Sequence, residues 1–286
     1  MLINHIGESI ELSVKNISFS RFDKNAEYAG IISPVTRIYY IVKGTAYLQI
    51  GNNKTVLNAG NCYIIPGFTL CSYFFEKGLE HYYVHFSIEM KTGISVFDYF
   101  SFKNEVVALE TDINLIQRLL EINPNRQLPH HDPKVYQSKP WINKEYEYSN
   151  INHYLETRGI IQILFSRFLS GEVQLSLNNW PSGNIRKTLN YIHKNPGENL
   201  SVGKLAEMAC MSDDHFSRVF KRITGMPPME FIIKKRLELA KSLLLTSDYY
   251  IVKIAALCGF KTSAYFCRVF KIHIGLTPYQ YRQTRE

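Results

Sequence analysis

The sequence predicts an α+β chain of two parts: an N-terminal antiparallel β-barrel or sandwich with flanking helices, then an all-α C-terminal domain. Three observations carry this. Short aromatic-rich runs punctuated by Gly, Pro and Asn fill roughly the first 90 residues. From residue 185 onward the apolar spacing is helical throughout. Finally, Phe-x-Arg-Val-Phe-Lys occurs twice, at Phe216–Lys221 and Phe266–Lys271.

The strands are read in order. Residues 37–50 (RIYYIVKGTAYLQI) are rich in β-favouring side chains. Residues 51–54 (GNNK) make a turn, 55–57 a strand, 58–61 (NAGN) a second turn, and 62–65 (CYII) a strand ending at Pro66-Gly67. Two further runs follow at 69–75 and 81–88. The barrel is assigned to residues 1–95. Helical spacing then marks 112–122 and 154–169, joined by a proline-rich surface loop. In the second helix Ile160, Ile161, Leu164, Phe165 and Phe168 make a wide apolar face, expected to pack partly on the barrel and partly on a second copy in a homodimer. The N-terminal domain is thus read as 1–177, the linker as 178–184 and the C-terminal domain as 185–286.

Composition narrows the class. Hydrophobic residues make up 45% of the 286 and aromatic residues 13%, which excludes an intrinsically disordered chain. Five cysteines without a CxxC spacing point to reduced thiols and a cytoplasmic location. The first residues lack the pattern of a signal peptide, and no apolar run reaches bilayer-spanning length, so no membrane partner is expected. Charge is uneven: residues 184–286 hold 17 Lys and Arg against 8 Asp and Glu, whereas residues 1–183 hold 16 against 17. A basic C-terminal third suits a polyanion such as duplex DNA.

The repeat explains what would meet that polyanion. In the second copy, Ile251, Ile254, Ala255 and Cys258 share one face of a short helix. Gly259 permits a tight turn, and Thr262 or Ser263 can cap the next helix. There Phe266, Val269 and Phe270 face inward, leaving Ala264, Tyr265, Cys267, Arg268 and Lys271 outward; Gly275 ends the helix and Pro278 opens another. In the first copy Val202, Leu205, Ala206 and Ala209 form the inner face, Ser212 caps, Phe216, Val219 and Phe220 point inward, and Gly225 ends the helix. Cys210 stands where Gly259 stands later, so its backbone is expected to be less extreme, and the second turn is one residue longer. Two short helices joined by a tight turn make a helix-turn-helix. Residues 228–247 hold no internal Gly or Pro and read as one helix about 30 Å long. Such a spacer could set two recognition helices into successive major grooves, ~34 Å apart.

At these residues the chain resembles the AraC/XylS family of bacterial transcription regulators. The matching pattern is Ile254-Ala255, Gly259-Phe260, Tyr265-Phe266, Arg268, Phe270-Lys271, Gly275, Thr277-Pro278 and Tyr281-Arg282. The resemblance implies a double helix-turn-helix domain over residues 185–286 and a cupin-like β-barrel that senses a small-molecule effector and dimerises. It implies duplex DNA and RNA polymerase as partners, with the protein acting as an activator and needing no cofactor. Carried onto this sequence, the DNA-binding positions are Asp214, His215, Ser217, Arg218 and Lys221 in the first unit. In the second they are Ser263, Ala264, Cys267, Arg268 and Lys271. Arg218 and Arg268 suit bidentate pairing with guanine, whereas Lys221 and Lys271 suit phosphate. Asp213 and Asp214 suit a helix N-terminus and are placed to divert Arg218 into an ion pair.

The competing reading is a metal-dependent cupin-type enzyme with an accessory DNA-binding module. After Gly44 the sequence TAYLQIGNNK supplies no ligand, and His81 and His85 lack a nearby carboxylate. The remaining cluster, His130-His131-Asp132, falls in the loop. No metal site and no catalytic residue is assigned. For a ligand inside the barrel, Lys43, Tyr73, His81 and Tyr83 are the candidates, because aromatic faces and directed polar groups suit a sugar or another small polar metabolite.

Overall fold

The computed structural model describes residues 7–90, 96–130, 146–173 and 183–284. The chain forms two compact units, one built mainly of Leu12–Ile88 and Phe102–Ser170, the other mainly of Gly171–Gln283. The expected linker falls almost entirely outside the described residues, as do His131 and Asp132. Among the described residues no helix is long and apolar enough to cross a membrane.

In the N-terminal unit the strands are β1 (Ile10–Arg21), β2 (Ala26–Ile32), β3 (Thr36–Lys43), β4 (Ala46–Ile50), β5 (Asn53–Leu57), β6 (Asn61–Ile65), β7 (Leu70–Phe75) and β8 (Glu80–Met90). Short strands β9 (Phe100–Phe102), β10 (Glu105–Val107) and β11 (Leu169–Val173) follow. One sheet runs β1-β8-β3-β6-β10 and a second β2-β7-β4-β5, while β9 and β11 pair with each other. Tyr39, Ile41, Tyr63, Ile65 and Tyr83 of the first sheet share one buried core with Leu48, Cys71, Tyr73 and Phe75 of the second.

The run 37–50 is therefore not one strand. It breaks at Gly44, whose φ of +86° and whose position, with a Cβ 2.8 Å from Leu79 Cα, exclude any other residue. The break sends β3 into one sheet and β4 into the other.

Helix α1 (Glu110–Ile122) begins where Asp112 Oδ2 accepts the Leu109 N–H at 2.9 Å. Helix α2 (Ile151–Ser166) begins where the Asn150 side chain accepts from His153 N at 2.8 Å. Both caps satisfy helix N–H groups that have no partner inside the helix. The two helices pack together, joined by Asn123 Nδ2 donating to Thr157 Oγ1 at 2.9 Å and by Arg118 on Glu156. The expected helix 154–169 stops at Ser166, and its last residue, Leu169, starts β11. Its apolar face is not shared with a second copy either. Ile160, Ile161, Leu164, Phe165 and Phe168 are all at most 5% exposed within the chain itself.

From Gly183 onward the described chain forms seven helices: α3 (Gly183–Lys194), α4 (Val202–Met208), α5 (Asp213–Thr224), α6 (Pro228–Thr246), α7 (Ile251–Leu257), α8 (Ser263–Ile274) and α9 (Pro278–Gln283). The expected spacer is α6, a continuous helix about 28 Å long at ~1.5 Å per residue. Phe216 and Phe220 of α5 pack with Phe231 of α6, and Phe266 and Phe270 of α8 pack with Phe260 and Tyr281. Two helix pairs, α4–α5 and α7–α8, thus hang from one strut.

Candidate nucleic-acid interface

The turns that set the recognition helices differ in chemistry and agree in geometry. Gly259 has φ +75°, as its sequence position suggests. Cys210 has φ +55°, against the expectation of a milder backbone. The sharp turn imposes the left-handed conformation on whatever residue stands there, and for a residue with a Cβ this costs roughly 1–2 kcal/mol. The second turn is indeed longer: Ser212 starts α5 two residues after Cys210, and Thr262 starts α8 three after Gly259. Thr262 caps α8 by accepting from Tyr265 N at 3.2 Å. Ser212 holds the N-cap position, but its side chain makes no cap bond. Gly225 and Gly275 close both helices at φ +78° and +83°.

Because the extra residue lies in the turn, the helices themselves align position for position. Arg218 is the sixth residue of α5 and Arg268 the sixth of α8; Lys221 and Lys271 are both ninth. Asp214, His215, Arg218 and Lys221 are exposed and Ser217 half-buried. Ala264, Arg268 and Lys271 are likewise exposed, with Ser263 and Cys267 half-buried. The seven exposed residues point away from the buried phenylalanines, whereas Ser217, Ser263 and Cys267 flank them.

Two features go beyond the sequence pattern. Arg218 does not take the expected ion pair with Asp213 or Asp214; its Nε donates to the Asp214 backbone carbonyl at 3.4 Å, because the side chain runs back along its own helix. In α8 the Arg268 guanidinium lies 5.4 Å from the centre of the Tyr265 ring, which is 41% exposed. Tyr265 is the structural counterpart of His215, since both are third in their helices. Helical spacing already sets Tyr265 on the outward face, and the structure agrees.

The candidate ligand residues separate. Tyr73, His81 and Tyr83 line one cavity with Tyr39, His85 and Phe75, whereas Lys43 is exposed at the end of β3 and is not part of it. The cavity measures about 30 Å³, room for about one water molecule. Burial holds His85 well below the usual histidine range, with Arg37 and His81 adding to the effect, so His85 is neutral at neutral pH. Among the described residues no three His, Cys, Asp or Glu side chains gather closely enough to hold a metal.

The family model of the helix-turn-helix domain matches residues 205–284. Over this segment the chain carries a helix-turn-helix domain, and the relatives it matches are named as HTH-type transcriptional regulators. An uncharacterised HTH-type transcriptional regulator of Haemophilus influenzae is 39% identical over 93 residues, 32% of this chain and 31% of that protein. The HTH-type transcriptional activator Btr of Bacillus subtilis is 26% identical over 250 residues, 81% of this chain and 41% of Btr. The DNA-binding domain of AdpA, solved in complex with a target DNA, is 31% identical; the match covers 36% of this chain and 92% of that one, with a TM-score of 0.35. The chain spans only about a third to two fifths of the length of the curated relatives it matches, 31% and 41% for these two. The matched segment thus runs from within α4 to the end of α9, and both outward arginines fall inside it.

Proposed function

We propose that this protein is a transcription regulator that reads duplex DNA with α5 and α8 together. The observation that carries the reading is the pair of outward helices, each with Arg at its sixth position and Lys at its ninth, on a basic AraC-type module. Guanidinium groups there suit base edges and the ammonium groups suit phosphates. The test is selection of the full chain against a random duplex pool, followed by titration with salt. Enrichment of one sequence, bound more weakly as salt rises, supports the reading. Recovery of no preferred sequence overturns it.

The N-terminal unit is proposed to sense a small polar effector, a sugar among the candidates, and so to make the regulator an activator that engages RNA polymerase. The support is chemical: His81, His85, Tyr39 and Tyr73 put polar groups into a core that apolar side chains would fill at lower cost. A cavity of 30 Å³ is far below the usual ~300–1,000 Å³ of ligand pockets, so binding requires these rings to move. A metabolite screen by thermal shift on the full chain tests this, with Tyr73→Ala and His81→Ala as controls. A stabilising compound that both substitutions abolish supports the site; one that neither affects places sensing elsewhere.

A homodimer is proposed through the outer stripe of α2. Ile151, Leu155 and Ile163 are 65%, 59% and 50% exposed at helical spacing. Between them Gly159 leaves open space where a side chain would stand, allowing a second α2 to cross closely.

A further inference from the structure

The two helix-turn-helix units are not held apart by α6 alone. After Thr246 the chain leaves helical geometry until Ile251, and α7 and α9 of the second unit pack back on α6. A direct contact between the two units adds to this hold. The turn of the second unit meets the loop between α3 and α4 in the first: a Cβ on Gly259 would lie 2.6 Å from Gly197 O, and a Cβ on Gly197 would strike Leu257 O. Two backbones 62 positions apart therefore touch with no side chain between them.

Arg236, from the middle of α6, closes over this contact. Its Nε donates to Pro196 O at 3.0 Å and its Nη2 to Glu198 O at 2.9 Å, both in the first unit's loop. Its guanidinium lies 5.8 Å from the centre of the Phe260 ring, in the second unit's turn. Phe260 packs on Phe266 at 5.1 Å and on Tyr265 at 6.1 Å, and Tyr265 carries Arg268. One planar cation thus joins the loop of the first unit to the outward arginine of the second. Lysine could not reproduce this, because a single ammonium lacks both the fork and the flat face.

We propose that Arg236 is a positioning residue that fixes the second recognition helix relative to the first and so sets the spacing between the two half-sites of the operator. The proposal rests on the reading of α5 and α8 as a joint DNA interface. Each base pair inserted between half-sites rotates one relative to the other by about 34–36°, given ~10–10.5 base pairs per turn. A clamped pair of helices cannot follow that rotation, whereas an unclamped pair can.

The experiment uses the full chain and the duplex that wild-type protein selects from a random pool, together with versions carrying one base pair inserted or deleted between the half-sites. Wild type should lose at least tenfold in affinity on either change. Arg236→Ala and Arg236→Lys, checked for folding by circular dichroism, should bind all three duplexes within about threefold of one another. A role in stability alone would lower affinity for all three in proportion and leave the ratio intact, and that result overturns the proposal. So does a wild-type protein indifferent to spacing. If Arg236→Ala does not fold, Arg236→Lys decides by the same ratio; if neither folds, Phe260→Leu, which removes the ring beneath the guanidinium, decides in the same way. Failure of wild type to select any duplex is a different result and rejects the DNA-reading function itself.

Discussion

Arg218 and Arg268 occupy equivalent positions but have different neighbours, and their substitutions should differ accordingly. Around Arg268 the outward side chains Ser263, Ala264 and Cys267 are small, so α8 can enter a groove closely. Arg268→Ala should cost about 1–3 kcal/mol in binding and relax preference at one base pair. Lys271→Ala should weaken binding to all sequences alike and reduce the salt slope by about one unit. Both are checked by binding to the selected duplex and its single-base variants at several salt concentrations. Equal loss on every sequence with Arg268→Ala would make that residue a phosphate clamp. Gly259→Ala should destabilise the chain by about 2 kcal/mol or more, since the left-handed backbone resists a Cβ and Gly197 O already fills its place. Thermal unfolding of the full chain measures it. The arginines are legible in the sequence because a repeated motif fixes them by number. Tyr265 is legible as an outward residue by the same helical spacing, which does not show that its ring lies against Arg268. Cys210 misleads because its residue preference points one way and the turn dictates the other.

At the scale of elements, periodicity locates the helices and misses what faces them. The pattern of α2 reads as apolar, yet spacing alone does not say which side the sheets and α1 cover. The structure buries Leu164 and Phe168 and exposes Leu155 and Ile163. Leu164→Glu should therefore unfold the N-terminal unit, at a cost of several kcal/mol for an unpaired buried charge. Leu155→Glu with Ile163→Glu should leave the fold intact and give monomers, as read by circular dichroism and sedimentation. An unchanged dimer in the double variant would place the interface elsewhere. The strands follow the same logic. β-favouring composition marks residues 37–50, but only the close approach of Leu79 to Gly44 shows why that run must bend into two sheets. Lys43 suits a ligand contact by its place in that run, and the same bend leaves it in solvent at the end of β3.

For the whole molecule, the uneven charge and the doubled motif make the helix-turn-helix module legible from the sequence alone. What they do not show is that its two units touch, because Gly197, Gly259 and Arg236 are far apart in sequence and carry no motif in common. The central claim is that this module alone reads DNA. The most direct measurement is binding of a fragment spanning residues 184–286 to the duplex selected by the full chain, over a range of salt. The account predicts a folded fragment that binds, with affinity falling at least tenfold between roughly 50 and 200 mM salt as counterions are released. A folded fragment that does not bind the duplex, or binds it with no dependence on salt, would contradict it.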